Sequence, residues 1–356
     1  RVRMAALLDA YAAVPELSHM GRITVHTLFT QLVRNRMLIA DLLARHPEIH
    51  EIEITAPIII AGLPRTGTTH LHNLLSADPG LRSLPYWEST EPVPLPTDSI
   101  GPDGVDPRWT RTAAACDFME AAMPYFKRMH EMTPDHVHEE IQLLAIDFSS
   151  MFFETLAPVP AWRDRFLATD QVPHYEYLKT VLKVLTFLRG GQRWVLKSPQ
   201  HLEQFPALLD TFGDATFVVT HRDPVEVVRS MITMICYSAR MAVDEPDVGK
   251  LAARWLDRTD NLLNGCLRDR DVLPAERSVD IRFDDFMADE KGTLAAIYRL
   301  AGQPLDGTAQ QAMADFLTEH PRGRYGGVDY DMAALGLGPE EVADRFRAYR
   351  ERFVAP

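Results

Sequence analysis

The residues best equipped for chemistry begin at Gly62, in the stretch Gly62-Leu-Pro-Arg-Thr-Gly-Thr-Thr69. An apolar run, Ile58 to Ala61, precedes it, and a helical pattern with Leu71, Leu74 and Leu75 on one side follows. A buried strand, a glycine-punctuated loop and a helix N-terminus gather backbone N–H groups around a phosphate. The spacing is close to the nucleotide loop G-x-x-x-x-G-K-[ST]. Gly62, Gly67 and Thr69 match it, but Thr68 stands where the lysine belongs. That lysine normally reaches the β- and γ-phosphates, so its absence argues against a triphosphate. Arg65, inside the loop, is the replacement cation. The competing reading is a glycine turn that binds nothing.

A second cluster is Thr220-His-Arg-Asp-Pro-Val-Glu-Val-Val-Arg-Ser230. His221-Arg222-Asp223 echoes the kinase H-R-D loop, but that loop needs an asparagine where this chain has Val228. Arg222 at a strand end and Ser230 two helical turns on pair a guanidinium with a hydroxyl, a combination suited to a second phosphate. A salt-bridged arginine and a solvated serine are the bland alternative.

The elements that must position these residues alternate between strand and helix. Strands are expected at Ile58–Ala61, Leu81–Leu84 (short), Arg193–Lys197, Ala215–His221 and Ser278–Phe283, and helices between them at Pro173–Leu188, Pro199–Phe212, from Asp223-Pro224 onward, and at Val248–Arg270. Further helices are expected at about 291–301, 308–319 and 339–353, and residues Met4 to His50 read as a helical cap over 1–50. Residues 92–107 form a Pro- and Gly-rich excursion. Trp109–Leu156 reads as at least two helices broken near Thr133-Pro134, the start of a helical insert over about 109–189. This alternation specifies an α/β fold, a central parallel β-sheet flanked by helices over 51–356, in one compact domain with the cap. In such sheets ligands sit beyond the carboxyl ends of the strands. Arg65, Lys197 and His221-Arg222 all fall there.

Composition narrows the partners. Fifty acids against 37 bases give a formal charge of −13, which disfavours nucleic acid and anionic membranes. Cys116, Cys236 and Cys266, without C-x-x-C, read as reduced thiols of a cytoplasmic protein. No apolar run is long enough to span a bilayer.

Taken together, these motifs resemble the sulfotransferases that use 3′-phosphoadenosine 5′-phosphosulfate (PAPS), closest to the branch well represented in mycobacteria. The Gly62–Thr69 loop looks like their 5′-phosphosulfate loop, and Arg222…Ser230 like their 3′-phosphate site. Trp194-Val-Leu-Lys197-Ser198 resembles the strand of their catalytic region, Val279-Asp-Ile-Arg-Phe-Asp-Asp285 their later strand ending in an acidic pair, and His320-Pro-Arg-Gly-Arg-Tyr325 the loop folding over the cofactor. The resemblance runs from about Pro57 to the C-terminus.

It implies a P-loop NTPase-like sulfotransferase fold and a PAPS-dependent enzyme whose other product is adenosine 3′,5′-bisphosphate, with no metal. Arg65, with the backbone of Thr66, Gly67, Thr68 and Thr69, would hold the 5′ phosphosulfate. Lys197 would neutralise the leaving group. Arg222, Ser230 and either Arg322 or Arg324 would hold the 3′ phosphate. Members of the family with a histidine base place it where this chain has Pro199, which leaves His201 nearby. Glu88 is the favoured base, matching branches that use a glutamate after the loop helix, with Trp87 and Tyr86 beside it to raise its pKa. The Met- and Phe-rich insert suggests an apolar acceptor alcohol, whether lipid, sterol or polyketide-like. A P-loop small-molecule kinase and a non-catalytic adenosine-bisphosphate binder are the alternatives, and homo-oligomerisation is left open.

Overall fold

The computed structural model describes residues 2–321, 323–328 and 330–355. They form two compact units. The first joins the chain up to Ile54 with Leu84–Gly190 and Tyr237–Pro246. The second joins Thr55–Ser83, Gly191–Cys236 and the chain from Asp247 onward.

In the first unit, α1 (Val2–Ala12) and α2 (His19–Arg45) are separated by a turn. The Ser18 hydroxyl caps α2, accepting from the Gly21 amide at 2.9 Å. Phe29 of α2 packs on Phe148 and Phe153, with ring centroids 5.8 and 6.1 Å away, and Tyr11 meets Phe29 edge-on. Asp147 anchors the same helices, accepting from Arg3 at 2.7 Å and from Arg36, and meeting His174 Nδ1 at 2.5 Å. Burial opposes its charge, but the His174 hydrogen bond and the two arginines hold the carboxyl below its ordinary range.

The segment after Trp109 is less helical than its composition suggests. A helix covers Pro107–Ala122, but only short turns follow until Ile141–Ala145. Residues 134–138 instead run beside 84–87: Leu84 O accepts from the His138 amide at 2.7 Å, and His136 O from the Tyr86 amide at 2.9 Å. Pro124 and Pro134 remove helix donors, and these non-local bonds satisfy the backbone that a helix would have satisfied.

The second unit holds a five-stranded parallel sheet: β1 (Ile58–Ala61), β2 (Leu81–Arg82), β3 (Arg193–Ser198), β4 (Thr216–His221) and β5 (Ser278–Arg282), in the order β2-β3-β1-β4-β5. All pairings are parallel. Ile58, Ile60, Val195 and Val218 join Leu71, Leu74 and Leu75 of α3 (Thr68–Ala77) in its core. From β1 the chain crosses to the edge strand β2, comes back to β3 beside β1, and then passes to the other side of β1 with β4 and β5. β1 therefore lies at the topological switch, where the crevice at the strand ends opens.

Several sequence boundaries shift, and the short strand expected to run to Leu84 ends at Arg82. The expected 199–212 helix divides into a 3-10 turn, Pro199–Glu203, and a helix, Phe205–Thr211, because Pro206 has no N–H to continue the helical ladder back to Leu202. Phe283 leaves the strand and opens the helix Phe283–Ala288, and the C-terminal helix is divided into Pro339–Arg345, Arg347–Tyr349 and a π turn, Arg350–Val354. Among the described residues no helix is long and apolar enough to cross a membrane, and no cysteine is in a disulfide.

Candidate active site

β1 delivers the chain into the loop fully buried, and the loop is shaped by close approach. A Cβ on Gly62 would come within 2.0 Å of Thr220 Oγ1, so only glycine fits there. Gly67, at φ 85, occupies the left-handed region and forms the N-cap of α3 without a side-chain hydrogen bond. The first amides of a helix have no intrahelical acceptor, and the helix dipole places partial positive charge beside them. A terminus of this kind suits an anion.

Thr66 does a different job from its neighbours. Its hydroxyl donates to Leu63 O at 2.7 Å and lies 2.7 Å from Thr220 Oγ1, tying the loop to the end of β4. Thr220 escaped the sequence reading. Its signal was the small hydroxyl residue closing Phe-Val-Val-Thr, opposite a glycine that needs room. Thr68 is buried and Thr69 is partly exposed at the helix start.

Arg65 has φ 71, a left-handed backbone that costs a non-glycine residue about 1–2 kcal/mol. Two long-range bonds hold it there. Arg222 Nη1 donates to Arg65 O at 2.9 Å, and Arg65 Nε donates to Ser230 Oγ at 2.8 Å. Arg65 and Ser230, assigned by resemblance to opposite ends of the donor, thus touch directly. The Arg222 guanidinium lies 4.1 Å from the Phe283 ring centroid. Burial pushes its pKa down and Glu226 opposes that, while the charge of a guanidinium persists at any working pH. Phe283 would also be the nearest neighbour of a Cβ on Gly67, at 3.1 Å. The helix that follows β5 therefore contributes an aromatic ring to this cluster. Asp285, of its acidic pair, is bonded to Arg282.

Lys197 stands in β3 opposite Ile60 of β1 and is almost wholly buried. His201 is fully buried in the 3-10 turn after that strand. The same turn carries Glu203, which accepts two bonds from the buried Arg258. Glu88 is fully buried in the short helix Tyr86–Thr90 of the first unit, with Oε1 2.9 Å from Arg189 Nη1. Arg189 and Arg108 lie 4.8 and 4.6 Å from the centroid of Trp87. Arg324 donates to Glu319 O at 3.3 Å and stacks over Tyr325. Arg322 lies outside the described residues.

His221 leaves the set of strand-end cations. Its Nδ1 is 2.7 Å from the Tyr349 hydroxyl, its Nε2 is 2.7 Å from Asp280 Oδ1, and its ring stacks on Phe353 at 4.3 Å. A hydrogen on Nε2 serves Asp280 and leaves Nδ1 to accept from Tyr349. Burial lowers the pKa despite the Asp280 bond, so the imidazole is neutral near pH 7. It clamps the C-terminal turn to β4 instead of binding an anion.

Known proteins share this architecture. A family model described as the sulfotransferase family matches residues 57–307. The crystal structure of sulfotransferase STF1 from Mycobacterium tuberculosis H37Rv is 30% identical, with a TM-score of 0.84 over 97% of this chain and 91% of that one. That of STF9 from Mycobacterium avium is 25% identical, with a TM-score of 0.86 over 99% of this chain and 91% of that one. Among curated proteins, the omega-hydroxy-beta-dihydromenaquinone-9 sulfotransferase Stf3 of Mycobacterium bovis is 24% identical over 260 residues, 69% of this chain. The match spans 62% of that relative's length, and its Mycobacterium tuberculosis counterpart matches equally.

Proposed function

The chain belongs to the sulfotransferase family, and on that premise we propose that it transfers a sulfuryl group from PAPS to the hydroxyl of an apolar acceptor. One observation supports the donor above all. Arg65, Arg222 and Ser230 meet beside the capless N-terminus of α3, in a loop that has Thr68 at the lysine position. Such a loop suits a 5′ phosphosulfate, and its neighbouring arginine and serine suit a 3′ phosphate.

In this reading the amides of Gly67 to Thr69 and Arg65 hold the 5′ end. Arg222 and Ser230 hold the 3′ phosphate, with Arg322 or Arg324 closing over it. Lys197 stabilises negative charge on the departing phosphate as the bridging S–O bond breaks. Glu88 takes the proton as the acceptor oxygen bonds to sulfur, and His201 is the second candidate for that step. The leaving group is adenosine 3′,5′-bisphosphate. Most of the acceleration comes from positioning and fixed charge. The acceptor is an apolar alcohol, and the curated relatives are named for omega-hydroxy-beta-dihydromenaquinone-9.

The test is thermal unfolding with adenosine 3′,5′-bisphosphate against ATP plus Mg²⁺. Saturation with the bisphosphate at a hundred times its Kd should add about 2.7 kcal/mol of stability. A larger shift with ATP would overturn the sulfotransferase reading in favour of a kinase.

A further inference from the structure

Glu88 is wholly buried, and its Oε1 lies 2.9 Å from a guanidinium that carries none of the sequence-based assignments. That guanidinium belongs to Arg189, the last residue of the helix Val172–Arg189. Leu178, Leu182 and Leu185 are fully buried and fix the helix against the core of its unit. Gly190 ends it at φ 67 and ψ −155, a backbone open almost only to glycine, and its amide donates to Thr186 O at 2.7 Å. The backbone at Arg189 is therefore set, and its charge sits at the end of the helix where the dipole favours a cation.

The carboxylate is fixed from its own side. The helix Tyr86–Thr90 is too short to be stable alone. Its first amides are anchored elsewhere, Tyr86 N–H to His136 O at 2.9 Å and Trp87 N–H to Pro134 O at 3.1 Å. Trp87 is buried, and both Arg108 and Arg189 lie against its ring, 4.6 and 4.8 Å from the centroid. The two arginines differ in what else they do. Arg108 is buried and donates to Glu91 O, Pro92 O and Asp106, which ties down the following loop. The Arg189 side chain is 43% exposed, and among the described residues its partners are the Trp87 ring and Glu88. A cation resting on a fixed aromatic shelf, with a buried carboxylate in front of it, is arranged to act on that carboxylate.

We propose that Arg189 is a positioning residue for the base: it supports the buried charge of Glu88 and orients the carboxylate that takes the acceptor proton. The role rests on the reading of Glu88 as the base. In that step the proton passes to a Glu88 oxygen, and the electron pair of the O–H bond stays on the acceptor oxygen as it bonds to sulfur. A carboxylate out of water is costly without a cation against it, and a base works only from a fixed position. Arg189 supplies both conditions.

The experiment is a double-variant cycle of Arg189→Met and Glu88→Gln, with Arg189→Lys as the conservative variant, assayed by transfer from PAPS to 1-decanol. Arg189→Met should lower kcat about 10²-fold, within the usual worth of a positioned base. The KM for PAPS and the Kd of adenosine 3′,5′-bisphosphate should stay unchanged, which reports an intact fold. Arg189→Lys should recover about ten-fold of the loss, because it restores the charge without the flat stack. In the Glu88→Gln background, Arg189→Met should change kcat by no more than about two-fold, because the two residues act as a unit. Infrared difference spectra read the contact without turnover: the carboxylate stretch that Glu88→Gln removes should shift in Arg189→Met. A full rate in Arg189→Met, losses that multiply in the double variant, or an unshifted stretch would overturn the positioning role while Glu88 remains the base. A near wild-type rate in Glu88→Gln, with the stretch still shifted by Arg189→Met, would remove the base itself and the positioning role with it.

Discussion

Arg222→Ala isolates the two ends of the proposed donor. Arg222 donates to Arg65 O at 2.9 Å and its guanidinium lies 4.1 Å from the Phe283 ring centroid. In the complex its remaining donors would face the 3′ phosphate. A hydrogen bond to a charged group contributes about 1.5–3 kcal/mol, and a phosphate held by a guanidinium falls toward the upper part of that range. A loss of about 2–3 kcal/mol corresponds to roughly 30- to 150-fold in Kd. A smaller effect reaches the other end, because the left-handed Arg65 backbone loses the bond that its carbonyl accepts from Arg222. Relaxation of that strain, about 1 kcal/mol, would weaken 5′-phosphate binding by several-fold. Isothermal titration with adenosine 3′,5′-bisphosphate and with adenosine 5′-monophosphate separates the two contributions. The bisphosphate should lose at least ten-fold more affinity than the monophosphate. Equal losses would refute the 3′-phosphate assignment. Arg222→Lys should recover only part of the loss, because an ammonium cannot both stack flat on Phe283 and donate to Arg65 O.

Two further predictions concern the base and the C-terminal clamp. Glu88→Gln should lower kcat by about 10²- to 10⁴-fold, the usual worth of a positioned general base, with affinity for adenosine 3′,5′-bisphosphate unchanged; a near wild-type rate would move the role to His201. Stability should fall as pH drops from about 7.5 to about 5.5, because burial, against the pull of Asp280, holds the His221 pKa below the ordinary 6.5, so the unfolded chain takes up a proton that the folded chain resists. The contribution is complete above the unfolded pKa and is lost as pH falls toward the folded one. His221→Gln should flatten that slope in a Tm-versus-pH series, and an unchanged slope would remove the neutral-imidazole assignment.

Local patterns carried much of this molecule. Ile58–Ala61 is short, apolar and bounded by glycine, so its burial on both faces was readable from four residues. Gly67 at the start of α3 and the missing lysine at Thr68 are equally local, because helix capping and phosphate cradling depend on neighbours within a turn. The helix Val248–Asp269 could be read from its periodicity for the same reason. Where two backbone solutions were open, composition misled. The stretch after Ala122 has helix-forming side chains, but residues 134–138 pair with 84–87 across some fifty positions of sequence. Sequence periodicity carries no signal for that pairing.

By itself, then, the sequence determined the strand, the loop and the helix. Only the tertiary structure decided how these parts meet. Parallel register sets Ala61 beside Val219, which brings Thr220 against Gly62 and Thr66. The same close approach of β1 and β4 lets Ser230 and Arg222 reach Arg65 and hold its left-handed backbone. It also showed that the clamp includes His221, Asp280 and Tyr349, and that the N-terminal helices are anchored by Asp147. These contacts join residues 59 to 165 positions apart, and chain connectivity places no constraint on them until the sheet and the helical core have formed.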